Sequence, residues 1–263
     1  MPELPEVETI KRELQSQILD KEIIDVKILL IRAFKNPLNL SVLGQIEAIN
    51  RLGKFLIIDI KDKSSLIMHL RMTGKLILGN GENEKHIRVS FLFKDGDRLL
   101  FQDIRTFGLI EVIRYKESIY NNKKIGIDAL SKEFTLLFFK NMCNSKSIPI
   151  KKLLMEQTLI AGIGNIYAME ILFASSVNPT RLSNSLKSFE CKSIYEYTIK
   201  ILNHAIDCNG TTISDYRRVD DKKGEFQNFL KVYGKKVCLV CNTNLTKIKQ
   251  GGRTTMYCGK CQR

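Results

Sequence analysis

Four of the chain's seven cysteines are spaced as metal ligands. Cys238-Leu-Val-Cys241 and Cys258-Gly-Lys-Cys261 form two knuckles separated by sixteen residues. A two-residue gap lets both thiolates of a knuckle face one ion, and two knuckles complete a tetrahedron, the zinc-ribbon arrangement. Protein would fill every corner, so the expected cofactor is one structural Zn²⁺ with no open position for catalysis. A redox Cys-x-x-Cys pair and chance spacing are the competing readings. Residues 242–257 have room for one β-hairpin, with Gly251-Gly252 as its turn and Thr254-Thr255-Met256-Tyr257 as its returning strand. Cys143, Cys191 and Cys208 are scattered and read as small hydrophobes.

The charge around those knuckles points to a polyanion. The 263 residues (30.2 kDa) carry 42 Lys+Arg against 28 Asp+Glu, a balance of +14. Seven of the basic residues and no acid fall in residues 233–263. A lysine-favouring codon bias would raise Lys everywhere but would not clear acids from one segment. Nucleic acid or an anionic membrane surface are the partners such a balance suits. No apolar run reaches the ~20 residues of a membrane span. The start, Met1-Pro2-Glu3-Leu4-Pro5-Glu6, is neither a signal nor a transit peptide, which makes the expected address cytoplasmic. At 44% hydrophobic and 27% charged residues, the chain is that of a folded protein.

The periodicity divides the chain. Val7, Ile10 and Leu14 behind Pro5 predict a helix over 3–17. Residues 22–113 predict short strands at Ile23–Ile31, Phe55–Ile60, Leu66–Leu70, Val89–Phe93, Arg98–Gln102 and Leu109–Ile113, with turns at Gly79-Asn80-Gly81 and Asp95-Gly96. A sandwich or barrel follows. Asn121-Asn122-Lys123-Lys124 reads as a linker. Helical spacing then runs through Phe134–Met142, Ile150–Glu156, Asn165–Ala174 and Leu186–Ile206. Gly210–Gly224, polar and poor in apolar residues, reads as a mobile loop.

Five blocks, in order, resemble the formamidopyrimidine-DNA glycosylases. They are Met1-Pro2-Glu3-Leu4-Pro5-Glu6-Val7-Glu8-Thr9; His69-Leu-Arg-Met72-Thr-Gly74; Asp103-Ile-Arg105-Thr-Phe107-Gly108; Gln157-Thr-Leu-Ile-Ala-Gly162-Ile-Gly164-Asn165-Ile-Tyr167; and Gly251-Gly-Arg253-Thr-Thr-Met-Tyr-Cys258. Leu4 sets the chain apart from the endonuclease VIII branch, which typically has Gly there. The resemblance implies an α+β fold of two domains. The first is an N-terminal β-sandwich with flanking helices (1–114). A linker (115–130) leads to a helix–two-turn–helix DNA-binding domain (131–232) with a zinc-finger β-hairpin (233–263). It implies a monomeric bacterial enzyme, cytoplasmic and associated with the nucleoid, acting on damaged double-stranded DNA. The implied activity is removal of oxidised purines, 8-oxoguanine and formamidopyrimidines, followed by strand cleavage through β,δ-elimination. An oxidised-pyrimidine glycosylase of the endonuclease VIII type and a zinc-ribbon binding protein without catalysis are the alternatives.

The roles follow residue by residue. Once Met1 is removed, Pro2 is a secondary α-amine, titrating near ~8 against ~10.4 for a lysine, so it is a neutral nucleophile at physiological pH. Attack on C1′ expels the base and leaves an iminium that acidifies the C2′ proton. Glu3, beside it, is the acid for the sugar ring oxygen; Glu6 supports from one turn along. By resemblance Lys54 and Arg253 assist catalysis at the lesion's phosphates. Read alone, Lys54 is a surface lysine and Arg253 a hairpin-tip charge. A base must leave the stack to be reached; Met72 and Phe107 are the implied wedges and Arg105 the reader of the orphaned base. His86, Lys151 and Asn165 are implied DNA contacts, the last at a helix N-terminus. Thr106 stands where the family usually has a second arginine and Ser147 where some members have lysine. The link from Gly234 to Cys238 is short, and Gly210–Gly224 matches the base-capping loop in place but not in letters.

Overall fold

The computed structural model describes the chain except residues 80–84, 214, 215 and 220, and of Asn121 and Asn122 the backbone only. The turn expected at Gly79-Asn80-Gly81 lies largely outside the described residues. The chain divides into two compact units. One comprises Met1–Lys124 with Cys208–Glu225, the other Ile125–Asp207 with Phe226–Arg263.

The first unit opens with helix α1 (Leu4–Ile18). Nine strands follow: β1 (Glu22–Ile28), β2 (Phe34–Lys35), β3 (Gly44–Leu52), β4 (Phe55–Ile60), β5 (Ser64–His69), β6 (Gly74–Leu78), β7 (Ile87–Phe93), β8 (Arg98–Asp103) and β9 (Leu109–Arg114). Their order is β2-β9-β5-β4-β3-β1-β7-β8-β6. Only two residue pairs join β1 to β3, so the sheet has two halves. Residues of both halves share one core: Ile49, Ile58, Met68 and Val112 with Leu76, Phe91 and Phe101. Val7, Ile10, Leu14 and Ile18 put one helix face of α1 into that core, as 3.6-residue periodicity requires. Fully burying each such side chain contributes about 1.5–3 kcal/mol. A short helix, α2 (Ile119–Asn122), stands where a plain linker was expected; Ser118 caps it by accepting the Tyr120 N–H.

Three strands, the two-residue β2 among them, escape the period-two reading. In β3, Gly-Gln-Ile-Glu-Ala-Ile-Asn-Arg-Leu carries a register shift between Ile46 and Ala48, which breaks the alternation. β6 has only five residues behind a tight turn.

The Gly210–Gly224 loop also departs from expectation. Its place in the chain and its polarity predict a mobile loop of the helical part. Its described residues pack with the first unit instead, and Tyr216 and Val219 join the sheet's core. Glu13 on α1 receives the Arg218 guanidinium and the Val219 N–H.

The second unit begins with β10 (Ile127–Asp128) and then holds α3 (Leu136–Asn144), α4 (Ile150–Met155), β11 (Ile160–Ala161), α5 (Asn165–Ala174) and α6 (Ser188–Asp207). It ends in the hairpin of β12 (Thr246–Gln250) and β13 (Arg253–Tyr257). The parallel pair β10–β11 clamps the loop between α4 and α5. Cys143 and Cys191 are buried between α3 and α6, as small hydrophobes would be, and share a hydrogen bond. No described helix is long and apolar enough to cross a membrane.

Candidate functional site

Pro2 is buried immediately before α1, and Glu3 is the helix N-cap. Glu3 and Glu6 form a reciprocal capping box, with Glu6 Oε2 accepting the Glu3 N–H at 2.7 Å. The other oxygen of Glu6 accepts the Thr211 N–H, also at 2.7 Å. One buried carboxylate therefore fixes both the start of α1 and the entry to the 210–224 loop. Glu8 is held next. Burial works to raise its pKa, but the Arg51 guanidinium at 2.9 Å, with Lys11, outweighs it and keeps the carboxyl below its ordinary value.

Arg51 does a second task. It donates to the Gly53 carbonyl at 3.0 Å, bracing the Gly53-Lys54 turn between β3 and β4. This ties the lysine's hairpin to the helix that carries Pro2 and Glu3. Lys54 is 5% exposed, so the surface reading of this residue is wrong: it sits in the structure, not on it. Its charge reaches His69. Burial first, then Arg71 and Lys54, push the His69 pKa down to about 3, so the imidazole is neutral throughout the physiological range. Nδ1 accepts the Arg71 N–H at 3.0 Å, and the ring lies edge-on to Phe55 with centroids 4.7 Å apart.

Two loops converge at the ends of β5 and β8. Met72 and Phe107 are 40% and 55% exposed, against the preference of large apolar side chains for burial. Arg105 bridges them, with Nη1 3.3 Å from Met72 Sδ and its guanidinium 5.1 Å from the centre of the Phe107 ring. The structure therefore brings Met72, Arg105 and Phe107 into one exposed cluster. Buried Asp103 supports it, accepting the Thr73 hydroxyl on one oxygen and the Gly108 N–H at 2.7 Å on the other. Thr73 in turn accepts the Arg105 N–H at 3.0 Å. Each loop ends in a glycine for steric reasons. A Cβ on Gly74 would stand 2.4 Å from the Leu70 carbonyl oxygen, and one on Gly108 2.5 Å from Phe101. Exposed His86 lies nearby: its carbonyl accepts the Asp103 N–H at 3.0 Å, and Arg88 Nη2 stands 3.4 Å from its ring.

The Asp103 carboxylate is a testable support. Asp103→Ala leaves the Gly108 N–H and the Thr73 hydroxyl without their acceptor, each bond to a charged group contributing about 1.5–3 kcal/mol. Urea unfolding should show a loss of about 2–4 kcal/mol. A loss under 1 kcal/mol would mean that water replaces the carboxylate.

The second unit holds the remaining residues. Lys151 is 1% exposed; its ammonium donates to Asn165 Oδ1 at 2.6 Å and Thr255 Oγ1 at 2.7 Å. Asn165, the first residue of α5, donates from Nδ2 to the Thr254 carbonyl at 3.2 Å. A buried cation thus joins α4, the start of α5 and the returning hairpin strand. Arg253 stands exposed at the hairpin tip, after Gly251 and Gly252 at φ +57° and +74°, the conformation of a type I′ turn. Lys151 and Arg253 line one cleft of about 200 Å³, together with Lys152 and Gln250. Glu170 on α5 accepts three consecutive N–H groups, from Lys231, Val232 and Tyr233, at 2.8–3.0 Å. Burial raises its pKa against the pull of those bonds.

The cysteines fit zinc. The four sulfurs lie within 4.8 Å of one another, with Cys238–Cys261 at 3.9 Å and Cys241–Cys258 at 3.4 Å. Sulfurs ~2.3 Å from a tetrahedral zinc stand about 3.8 Å apart. Gln262 locks the second knuckle to the unit, accepting the Cys258 N–H and donating to the Val177 carbonyl, both at 2.9 Å.

Glu6 as a double acceptor, Asp103, Thr73, His69 and Glu170 went unassigned or undervalued in the sequence. Their partners lie up to 205 residues away; His69, Thr73 and Asp103 fall inside two of the family-like blocks, which give them no role of their own.

Family models match along the chain: the formamidopyrimidine-DNA glycosylase N-terminal domain over residues 1–110, its H2TH domain over 125–217, and the zinc finger found in FPG and IleRS over 235–263. Formamidopyrimidine-DNA glycosylases from Streptococcus mutans and Carboxydothermus hydrogenoformans are each 40% identical, the alignments covering 100% of both chains. Among solved structures, a Lactococcus lactis FPG mutant in complex with a Fapy-dG-containing DNA aligns with a TM-score of 0.91 at 35% identity, over 100% of both chains. The MutM (FPG) protein from Thermus thermophilus aligns at 0.89 and 32% identity, over 99% of this chain and 98% of that one.

Proposed function

The chain belongs to the formamidopyrimidine-DNA glycosylase family, and on that premise we propose that it is a base-excision DNA glycosylase and AP lyase for oxidised purines in duplex DNA. The observation that carries the reading is the buried Pro2 held at the head of α1 by the Glu3–Glu6 capping box. With Met1 attached, the Pro2 nitrogen is a tertiary amide and no nucleophile. Freed, it attacks C1′ of the damaged nucleotide as the C1′–base bond breaks and the base leaves with a proton. Glu3 protonates the ring oxygen as the C1′–O4′ bond opens, giving the iminium. Loss of the C2′ proton then expels the 3′ phosphate; loss of the C4′ proton expels the 5′ phosphate. Water releases the amine.

The other residues hold the substrate. Lys54 and Arg253 take the phosphates flanking the lesion. Met72 and Phe107 fill the gap left by the extruded nucleotide, and Arg105 reads the orphaned base. His86, Lys151 and Asn165 support the phosphate contacts. Cys238, Cys241, Cys258 and Cys261 hold the zinc that rigidifies the Arg253 hairpin. Residues 1–114 are the catalytic domain, 115–130 a linker, 131–232 the helix–two-turn–helix domain, whose 208–225 segment packs with the first unit, and 233–263 the finger. The enzyme acts as a cytoplasmic monomer on damaged chromosomal DNA.

Borohydride trapping tests the reading. Incubation with an 8-oxoguanine:cytosine duplex should give a covalent adduct that maps to Pro2, and a thymine glycol duplex much less. A stronger adduct with thymine glycol would transfer the chain to pyrimidine lesions. No adduct from a zinc-loaded protein lacking Met1 would leave only the binding function.

Arg253→Lys separates charge from shape. A lysine keeps the charge but loses the planar fork that suits bidentate phosphate contact. Single-turnover cleavage of an abasic duplex should slow by about tenfold. An unchanged rate would reduce Arg253 to a point charge.

A further inference from the structure

Several cations of the first unit answer a carboxylate. Lys11, Arg12 and Arg51 meet Glu8; Lys21 meets Asp95 and Asp97; Lys94 meets Glu22; Lys116 meets Glu47; and Lys123 meets Glu111. Among the described residues, Arg32, Arg88 and Arg105 form no ion pair, and both oxygens of neighbouring Asp103 are already engaged.

Arg32, like Arg88, lies outside the five sequence blocks. It sits in the 3₁₀ turn Ile31–Ala33 behind β1, and its Nη2 donates to Thr106 Oγ1. The turn is fixed against β7: the Leu29 and Leu30 N–H groups donate to the Arg88 carbonyl at 2.9 and 3.1 Å. Arg88 Nε in turn donates to the Asp103 carbonyl at 2.8 Å, beside the loop. Thr106 itself has φ +58°, a strained conformation for a β-branched residue. The bond from Arg32 holds the hydroxyl of that strained residue, which lies between Arg105 and Phe107. Ile31, next to Arg32, is 84% exposed.

We propose that Arg32 is a further DNA-binding residue, its guanidinium taking a phosphate of the undamaged strand while its bond to Thr106 sets the loop of Arg105 and Phe107. A guanidinium has five N–H donors in a planar fork. One serves Thr106, and the others remain for a phosphodiester. The strand follows from the neighbours. Arg105 and Phe107 are assigned to the orphaned base and the gap, so the phosphates within reach of Thr106 belong to the strand that carries that base. Thr106 stands where a second arginine was expected; Arg32 returns a cation to the same point from another element.

The inference rests on the glycosylase reading, so the test begins with the unmodified protein trapping on an 8-oxoguanine duplex. Affinity for a tetrahydrofuran-site duplex is then measured by anisotropy across a KCl series, for the unmodified protein, Arg32→Ala and Lys94→Ala. Lys94 is an exposed cation paired with Glu22 and controls for net charge. Arg32→Ala should bind about tenfold more weakly, with the salt slope reduced by about 0.9, one phosphate's worth. Lys94→Ala should leave the slope unchanged. Methylphosphonates at the linkages flanking the orphaned base should weaken the unmodified protein and leave Arg32→Ala indifferent. Equal sensitivity of the two proteins, or an equal slope change in Lys94→Ala, overturns the inference. Failure of the unmodified protein to trap sinks the glycosylase reading first and the inference with it.

Discussion

A chain extended ahead of Pro2, so that its nitrogen stays an amide, should lose base release and borohydride trapping together, by more than about 10³-fold. The size of the effect follows from the chemistry. An amide nitrogen has no available lone pair. Pro2→Gly is a milder change, because it keeps an α-amine but loses the ring that fixes its direction. Its expected loss is about 10²-fold, the cost of a misplaced reacting atom. Zinc content and thermal midpoint should stay at their original values in both proteins.

Glu3→Gln divides the reaction. The amide cannot protonate the ring oxygen, so excision of 8-oxoguanine should fall by about 10²–10⁴-fold. A preformed abasic site is different, because its sugar already opens to an aldehyde that Pro2 can condense with. Trapping on abasic DNA should therefore persist within about tenfold of the original rate. Equal loss on both substrates would mean that Glu3 positions Pro2 through the capping box and does not act as the acid.

What the sequence made legible was whatever repeats at short range. The 3.6-residue spacing of Val7, Ile10 and Leu14 marked α1, and the cysteine gaps marked the finger. Gly74 and Gly108, the last residues of two blocks, stand where a Cβ would collide with the Leu70 carbonyl and Phe101. What stayed hidden depends on partners far along the chain. Thr73 meets Asp103 across 30 residues, and Lys151 meets Thr255 across 104. Thr211 returns to Glu6 across 205, and with it a polar loop joins the first unit's core. Nothing in the letters around Lys54 distinguishes a buried lysine from the many at the surface. Its burial comes from the β3–β4 pairing, and the register shift in β3 had obscured that strand.

Removing zinc should reach beyond the finger. A hairpin of two five-residue strands buries too little to stand without its metal. Once it unfolds, Lys151 loses Thr255 and Asn165 loses the Thr254 carbonyl, while the ammonium stays buried between α4 and α5. A buried charge stripped of a partner is strongly destabilising, so the starts of α4 and α5 should loosen too. Hydrogen exchange after chelation, or in Cys258→Ser, should therefore show lost protection over residues 246–257 and also around Lys151 and Asn165. The strands of the first unit should remain protected, since their core is separate. Affinity for an abasic duplex should fall by at least about 10²-fold, as Arg253 and the finger's other cations lose their fixed positions. Zinc should restore the chelated protein but not Cys258→Ser. Protection lost only within the hairpin would show that the partners left to the ammonium, Asn165 among them, satisfy it. Lys151→Met would then be expected to keep α4 and α5 intact, with binding lost only in proportion to its own contact.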